Sequence, residues 1–220
     1  MQAAFFDLDK TLITENSARS WMMREYRRGR VGRLDLAAGG LFLFAYHLGV
    51  VDMLRATRKA LSTVKGLPED QLQRETEEWF RDEVVPVEAP GARAVVEDHR
   101  AQGHRLILLT SSSPYASACA VGHWGLDGFL SMRYEVADGC FTGDVHLPLC
   151  YGEGKVHYAE ALAAKEGLDL DGSWFYTDSF TDLPMLERVG HPMVVNPDPR
   201  LRREARRREW PILDWSQPTG

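Results

Sequence analysis

Phe5 to Ile13, read as Phe5-Phe6-Asp7-Leu8-Asp9-Lys10-Thr11-Leu12-Ile13 (FFDLDKTLI), sets the problem that the rest of the chain must solve. A hydrophobic run of strand character, Ala3 to Phe6, stops at two carboxylates, Asp7 and Asp9, one residue apart, with Thr11 two residues further on. On an extended chain residues i and i+2 share a face, so both carboxylates can reach one ligand. Two such groups side by side are tolerated when a cation neutralises them or one of them holds a proton. Either solution is chemistry; the alternative is a strand that simply ends in water.

Other short apolar runs end the same way. Arg105 to Leu109 (RLILL) leads into Thr110-Ser111-Ser112-Ser113. Ser173 to Tyr176 (SWFY) leads into Thr177-Asp178, and Pro192 to Val195 (PMVV) into Asn196-Pro197. Fully apolar strands closed by polar residues belong to parallel sheets covered on both faces. Helical patterns alternate with them: Gly91 to Gln102, Pro114 to Gly122, Lys155 to Gly167 and Leu183 to Val189. The expected fold is α/β, a doubly wound parallel sheet.

Leu12 to Val84 breaks the alternation. It carries no strand pattern and reads as helices over Ser17 to Arg28, Leu34 to Leu48, Met53 to Thr63 and Pro68 to Phe80, separated in part by Gly49 and Gly66-Leu67-Pro68. The expected organisation is a core of residues 1–14 and 85–220 with a helical cap of residues 15–84 inserted after the first strand. Met132 to Leu147 reads as a hairpin turning at Asp138-Gly139.

Composition bounds the function. The 220 residues carry a formal net charge of −6, which argues against a nucleic-acid partner. Cys119, Cys140 and Cys150 have no metal-type spacing and read as reduced thiols of a cytoplasmic protein. The N-terminus lacks a basic region and its apolar run is broken by Asp7, so no signal peptide is expected. Leu36 to Val51 is apolar but bracketed by Asp35 and Asp52. It is shorter than the roughly 20 residues of a membrane span, so it reads as a buried helix, the lesser alternative being contact with a membrane surface. No feature fixes an oligomeric state.

In open α/β sheets ligands bind at the carboxyl ends of the strands. Four polar motifs fall there or just beyond: Asp7-x-Asp9-x-Thr11, Thr110-Ser111, Lys155 in YGEGKV, and Asp178 with Asp182 in YTDSFTDLPML. Each has a plain reading. Thr110 could cap the next helix, Lys155 could be solvated, and Asp182 before Leu183-Pro184 could be a helix cap.

Together, and in this order, the motifs resemble those of the haloacid dehalogenase superfamily, in the branch with a helical cap after the first strand that includes phosphoserine phosphatases. The resemblance runs from FFDLDKTL through EVADGCFTG, GEGKV and DSFTDLPML to VVNPD. It implies a Rossmann-like core and a phosphatase that hydrolyses small phosphate monoesters through an aspartyl-phosphate. It further implies Asp7 as nucleophile, Asp9 as acid and base, and Thr110, Ser111 and Lys155 as phosphate binders. Mg²⁺ would be held by Asp7, Asp9 and Asp178, with Asp182 in support. Thr11 would orient the loop. The expected partner is a small phosphorylated metabolite, such as phosphoserine or histidinol phosphate. Relatives that take phosphoserine often carry a glutamate nine residues after the nucleophile; here that position is Asn16. The usual Gly-Asp-Gly form of the last motif is here Thr177-Asp178-Ser179.

Two alternatives use other features. A phosphotransferase would employ the same residues and pass the phosphoryl group to an alcohol. A binding protein for a phosphate-rich ligand would use PRLRREARRRE, with six arginines between Arg200 and Arg208. The preferred reading of that segment is a solvated helix with Glu204 and Glu209 interleaved.

Overall fold

A computed structural model describes residues 1–33 and 52–216. Its centre is a six-stranded, all-parallel sheet in the order β3-β2-β1-β6-β7-β8. The strands are β1 (Ala3–Phe6), β2 (Arg105–Leu109), β3 (Gly128–Leu130), β6 (Trp174–Thr177), β7 (His191–Val195) and β8 (Ile212–Leu213). The pairing registers Phe5 with Ile107 on one side and with Phe175 on the other.

Alternation along β1 builds two cores. Ala4 and Phe6 point to one face, where they meet Val96 of α4 (Ala92–Ala101), Ala116 and Trp124 of α5 (Pro114–Trp124), and Trp215. Ala3 and Phe5 point to the other, against Ala159 of α6 (Glu153–Glu166), Met185 of α7 (Leu183–Arg188) and Leu201 of α8 (Pro199–Arg207). A strand that must be apolar on both faces reads as an unbroken apolar run, which is why AAFF and LILL carry no polar residue. The expected doubly wound α/β sheet is what forms. The chain leaves β1 for β2 on one side and later returns to β6 on the other, so the order reverses at the carboxyl end of β1, the place where such sheets bind ligands.

Between β1 and β2 lie α1 (Ser17–Arg27), α2 (Met53–Ser62) and α3 (Glu69–Trp79), all helical as the sequence suggests. The helix expected at Leu34 to Leu48, and the apolar run Leu36 to Val51 with its suggested membrane contact, lie outside the described residues. Helix α2 packs on the hairpin of β4 (Tyr134–Ala137) and β5 (Cys140–Val145), and α3 packs on α5. The hairpin turns at Asp138 and Gly139, both with positive φ (50° and 74°), as expected of an Asp-Gly turn. Among the described residues no helix is long and apolar enough to cross a membrane.

The Arg-rich segment is not simply solvated. Leu201 and Ala205 bury one face of α8, while Arg207 and Arg208 pair with Glu204. Strands β3 and β8 were not expected from the sequence. With three and two residues they are too short to carry an apolar pattern.

Candidate active site

β1 ends at Phe6, and the Asp7 amide donates to the Tyr176 carbonyl at 2.9 Å, continuing the ladder to β6 by one bond. The chain then makes a single wide turn over Leu8–Leu12, closed by Ile13 N–H donating to the Leu8 carbonyl at 3.1 Å. Lys10 takes a left-handed φ of 53° inside it. Asp7 and Asp9 are therefore not neighbours on one face of a strand, as the sequence suggested. The turn beyond Phe6 places Asp9, and the Asp9 carboxylate still adds to the rise in the Asp7 proton affinity. Thr11 is fully buried and its hydroxyl makes no hydrogen bond, so packing rather than bonding fixes it.

Lys155 organises the centre. It lies in the first turn of α6, is 1% exposed, and its ammonium donates to Asp7 Oδ1 at 2.8 Å and to Asp182 Oδ2 at 2.7 Å. The same Asp182 oxygen accepts the Thr177 hydroxyl at 2.6 Å. The solvated-lysine reading fails. So does the helix-cap reading of Asp182, whose side chain makes no capping bond to α7. Burial disfavours the Lys155 charge, but Asp182 and Asp7 outweigh it and hold the ammonium protonated.

The other residues close in from neighbouring strand ends. Thr110 is buried directly after β2; its hydroxyl donates to Ser112 Oγ at 3.3 Å and accepts the Ser112 amide at 3.2 Å. Ser113, not Thr110, caps α5. The Ser111 hydroxyl donates to the Cys150 carbonyl at 2.8 Å and so braces the segment leading into α6. Asp178 is buried at the end of β6.

Asp9 is held on both oxygens. Oδ1 accepts the Ser17 amide at 2.9 Å and Oδ2 accepts the Asn16 side-chain amide at 3.2 Å. Neither contact was expected, although an Asn-Ser pair before an amphipathic run is a helix-start signal. Thr177 likewise went unassigned beside the more conspicuous Asp178.

Burial pushes the Asp7 carboxyl up to about 7, against the opposing pull of Lys155, and Asp182 and Asp9 add to the rise. Burial, with Asp7 beside it, raises Asp178 well above the usual carboxylate range. Asp9 is also raised by burial, while hydrogen bonds from Ser17 oppose the shift. Buried carboxyl groups raised in this way take up either protons or a cation. Lys155 is already bonded to two of them. Among the described residues no three His, Cys, Asp or Glu side chains gather into a metal cage. Mg²⁺ does not need one: it takes one or two carboxylates and keeps several waters. The hard oxygen donors of Asp7 and Asp178 fit that demand.

Residues 4–187 match the family model described as haloacid dehalogenase-like hydrolase. The chain is 35% identical over 218 residues to phosphoserine phosphatase SerB1 of Mycobacterium tuberculosis, covering 97% of this chain and 70% of that protein. It is 27% identical to a histidinol-phosphatase of Neisseria meningitidis, covering 96% of this chain and 98% of that one. Among solved structures, a protein of unknown function from Bordetella pertussis Tohama I superposes with a TM-score of 0.88 at 30% identity, over 97% of this chain and 98% of that chain. A phosphoserine phosphatase solved as a phospho-aspartyl intermediate analogue superposes with a TM-score of 0.72 at 20% identity over 99% of this chain and 94% of that chain, a likeness of fold. The match over residues 4–187, together with the parallel sheet and the buried Asp7–Lys155–Asp182 cluster at its carboxyl edge, leads to one conclusion: the chain belongs to the haloacid dehalogenase-like hydrolases.

Proposed function

We propose that the protein is a Mg²⁺-dependent phosphatase that hydrolyses small phosphate monoesters through an aspartyl-phosphate on Asp7. The observation that carries this reading is Lys155, buried and bonded to both Asp7 and Asp182 at the sheet's ligand-binding edge. A buried ammonium beside an unesterified carboxylate is suited to an anionic group brought against that carboxylate. Relatives named for phosphoserine and histidinol phosphate support a phosphorylated amino acid or amino alcohol as substrate.

Asp7, Asp178 and the Asp9 carbonyl would hold Mg²⁺, which when bound supplies positive charge between an anionic nucleophile and an anionic substrate. The Asp7 carboxylate attacks phosphorus in line; the bond from phosphorus to the substrate oxygen breaks, and an acyl phosphate forms. Asp9, its proton affinity raised by burial, gives its proton to the leaving oxygen. It then takes a proton from the water that attacks the acyl phosphate, which returns Asp7 and releases phosphate. Lys155 and Ser111 stabilise charge on the equatorial oxygens, joined by the Thr110 hydroxyl when it turns from Ser112 to the phosphate. Asp182 and Thr177 keep Lys155 aimed.

Residues 15–84 act as a cap that excludes water during transfer and contributes to substrate choice, with residues 1–14 and 85–220 as the core that carries the chemistry. The three cysteines are free, in keeping with a cytoplasmic enzyme. The test is a panel of phosphate monoesters assayed for phosphate release with Mg²⁺, after chelation, and with an added alcohol acceptor. Phosphate release that needs Mg²⁺ is expected. Full activity after thorough chelation would exclude the metal, and phosphoryl transfer to the alcohol in place of phosphate release would make the enzyme a transferase.

A further inference from the structure

We propose that Asn16 is a positioning residue for Asp9: its side-chain amide fixes the carboxyl plane of the general acid and does not read the substrate. The proposal rests on the phosphatase reading above. Asn16 is the N-cap of α1, and its Oδ1 accepts the Arg19 backbone amide at 3.0 Å. A backbone N–H can only donate, so the atom facing it is the oxygen, which turns the NH₂ group towards Asp9. That group donates to Asp9 Oδ2 at 3.2 Å, and the next residue's amide, Ser17 N–H, donates to Asp9 Oδ1 at 2.9 Å. One hydrogen bond lets a carboxyl group pivot. Two donors from adjacent residues, one on each oxygen, set the plane and with it the direction in which a proton can be delivered.

The start of α1 is itself registered to the loop after β2. Ser17 is buried, and its hydroxyl lies 3.3 Å from Ser112 Oγ, which also accepts the Thr110 hydroxyl. Asn16 thus ties the acid to an element that touches the phosphate-binding loop, so Asp9 and that loop keep one geometry. Both polar atoms of the Asn16 side chain are committed within the protein. A neutral amide so committed is no receptor for a substrate ammonium. An acidic residue here would place like charge against Asp9, and an alanine would lose both bonds. Recognition of an amino group, where the substrate has one, falls to other cap residues.

A plain helix cap is the competing explanation, and substitutions separate the two. Ser and Asp both cap helices well, yet neither presents an NH₂ donor to Asp9. Asn16→Ser and Asn16→Asp would be compared with wild type by the single-turnover rate of leaving-group release, enzyme in excess. The substrates are β-glycerol phosphate, whose alkoxide needs a proton, and p-nitrophenyl phosphate, whose phenolate does not. We expect the alkyl rate to fall by about tenfold or more, a part of the full general-acid contribution, with less than about threefold loss on the aryl ester. In an Asp9→Asn background Asn16→Ser should change neither rate further, since it acts through Asp9. Wild-type rates on both substrates, equal losses on both, or additive losses in the Asp9→Asn background would overturn the positioning role and leave a cap. Should Asn16→Asp fold poorly, Asn16→Ser, which adds no charge, carries the test alone. A wild-type protein inactive on both esters would instead sink the phosphatase reading itself.

Discussion

Lys155 spends its charge on two carboxylates, and the consequence differs from that of a surface lysine. Replacing it by methionine of similar length leaves Asp7 and Asp182 buried without their cation. Turnover should fall by roughly 10² or more, as for loss of a preorganised charge at the transition state. In metal-free buffer the variant should also lose about 3–5 kcal/mol of stability at pH 8, the usual cost of removing one partner of a buried pair. The sign with pH follows from Asp7. Its carboxyl already sits near 7, because burial outweighs Lys155, and losing the lysine raises it further. The folded state then binds more protons than the unfolded chain, so stability falls as pH rises from about 4 through the raised pKa. Urea titrations of Lys155→Met at pH 5 and pH 8 should show the larger loss at pH 8. An equal loss at both would mean that the carboxylates do not depend on the lysine. Asp7 and Asp9 should fail in different ways. Asp7→Asn removes the nucleophile, so no acid-stable or acid-labile phosphoenzyme forms. Asp9→Asn still permits attack on an aryl phosphate but lacks the base for the second step, so rapid-quench trapping of labelled protein should find phosphoenzyme accumulating. Trapped acyl phosphate in Asp7→Asn would show that the nucleophile is another residue.

The elements matter because they deliver these residues, and α6 does so with almost no clearance. A Cβ on Gly154, the residue before Lys155, would sit 1.7 Å from the Leu149 carbonyl oxygen, a backbone atom that cannot step aside. Gly154→Ala must therefore shift the first turn of α6 or the segment before it, at about 1–3 kcal/mol, the range for overpacking. Because that turn carries Lys155, kcat should fall about tenfold or more while the thermal midpoint drops only modestly, since a displacement near 1 Å is costly in positioned catalysis. Ala at Gly122, inside α5, whose Cβ would meet nothing within 4 Å and whose φ is not positive, serves as the control. Loss of kcat there as well would point to general destabilisation. Most elements of this kind were legible in the sequence. β1 and β2 fall where their apolar runs do, since a strand covered on both faces has no polar residue to blur its limits. α1 begins at Ser17 because Asn16 caps it. What was illegible is short or tertiary. β8 has two residues held by β7, and the turn over Leu8–Leu12, with Lys10 at a left-handed φ, carries no glycine or other turn residue to announce it. The charges of Asp7, Lys155, Asp178 and Asp182 were legible as residue types at strand and helix ends. Their wiring was not, because Asp182 might have capped α7 and is instead drawn to Lys155 and Thr177 from 27 and 5 residues away.

At the scale of the whole molecule, the strand that ends at Asp7 is braced from the side opposite α6 by an aromatic and histidine cluster that the sequence did not announce, its members being scattered from Phe6 to Trp215. Tyr176, whose carbonyl holds the Asp7 amide, stacks on Phe6 at 5.0 Å and Trp215 at 5.4 Å. Its hydroxyl is 2.8 Å from His99 Nε2, and His99 Nδ1 is 2.8 Å from His104 Nδ1. A pair of ring nitrogens in contact holds one proton between them. Burial, with His104 adding to it, lowers the His99 pKa to about 4, and Asp98 opposes weakly. A depressed histidine contributes stability that is present above its unfolded value near 6.5 and is lost as pH falls towards 4, where the unfolded chain binds a proton that the fold refuses. About 1–2 kcal/mol of stability is expected to be lost over that window. His99→Gln keeps a hydrogen-bonding side chain without the titration. Stability measured by urea unfolding at half-unit steps from pH 4 to 7.5 should show the wild type losing more than His99→Gln below pH 6.5, with the two curves parallel above it. Turnover at pH 7.5 should differ by less than about threefold, because His99 reaches the site only through the packing of Tyr176. Curves parallel throughout would mean that His99 accepts a proton in the folded state without strain, and that the acid limb of stability belongs to the carboxylates alone.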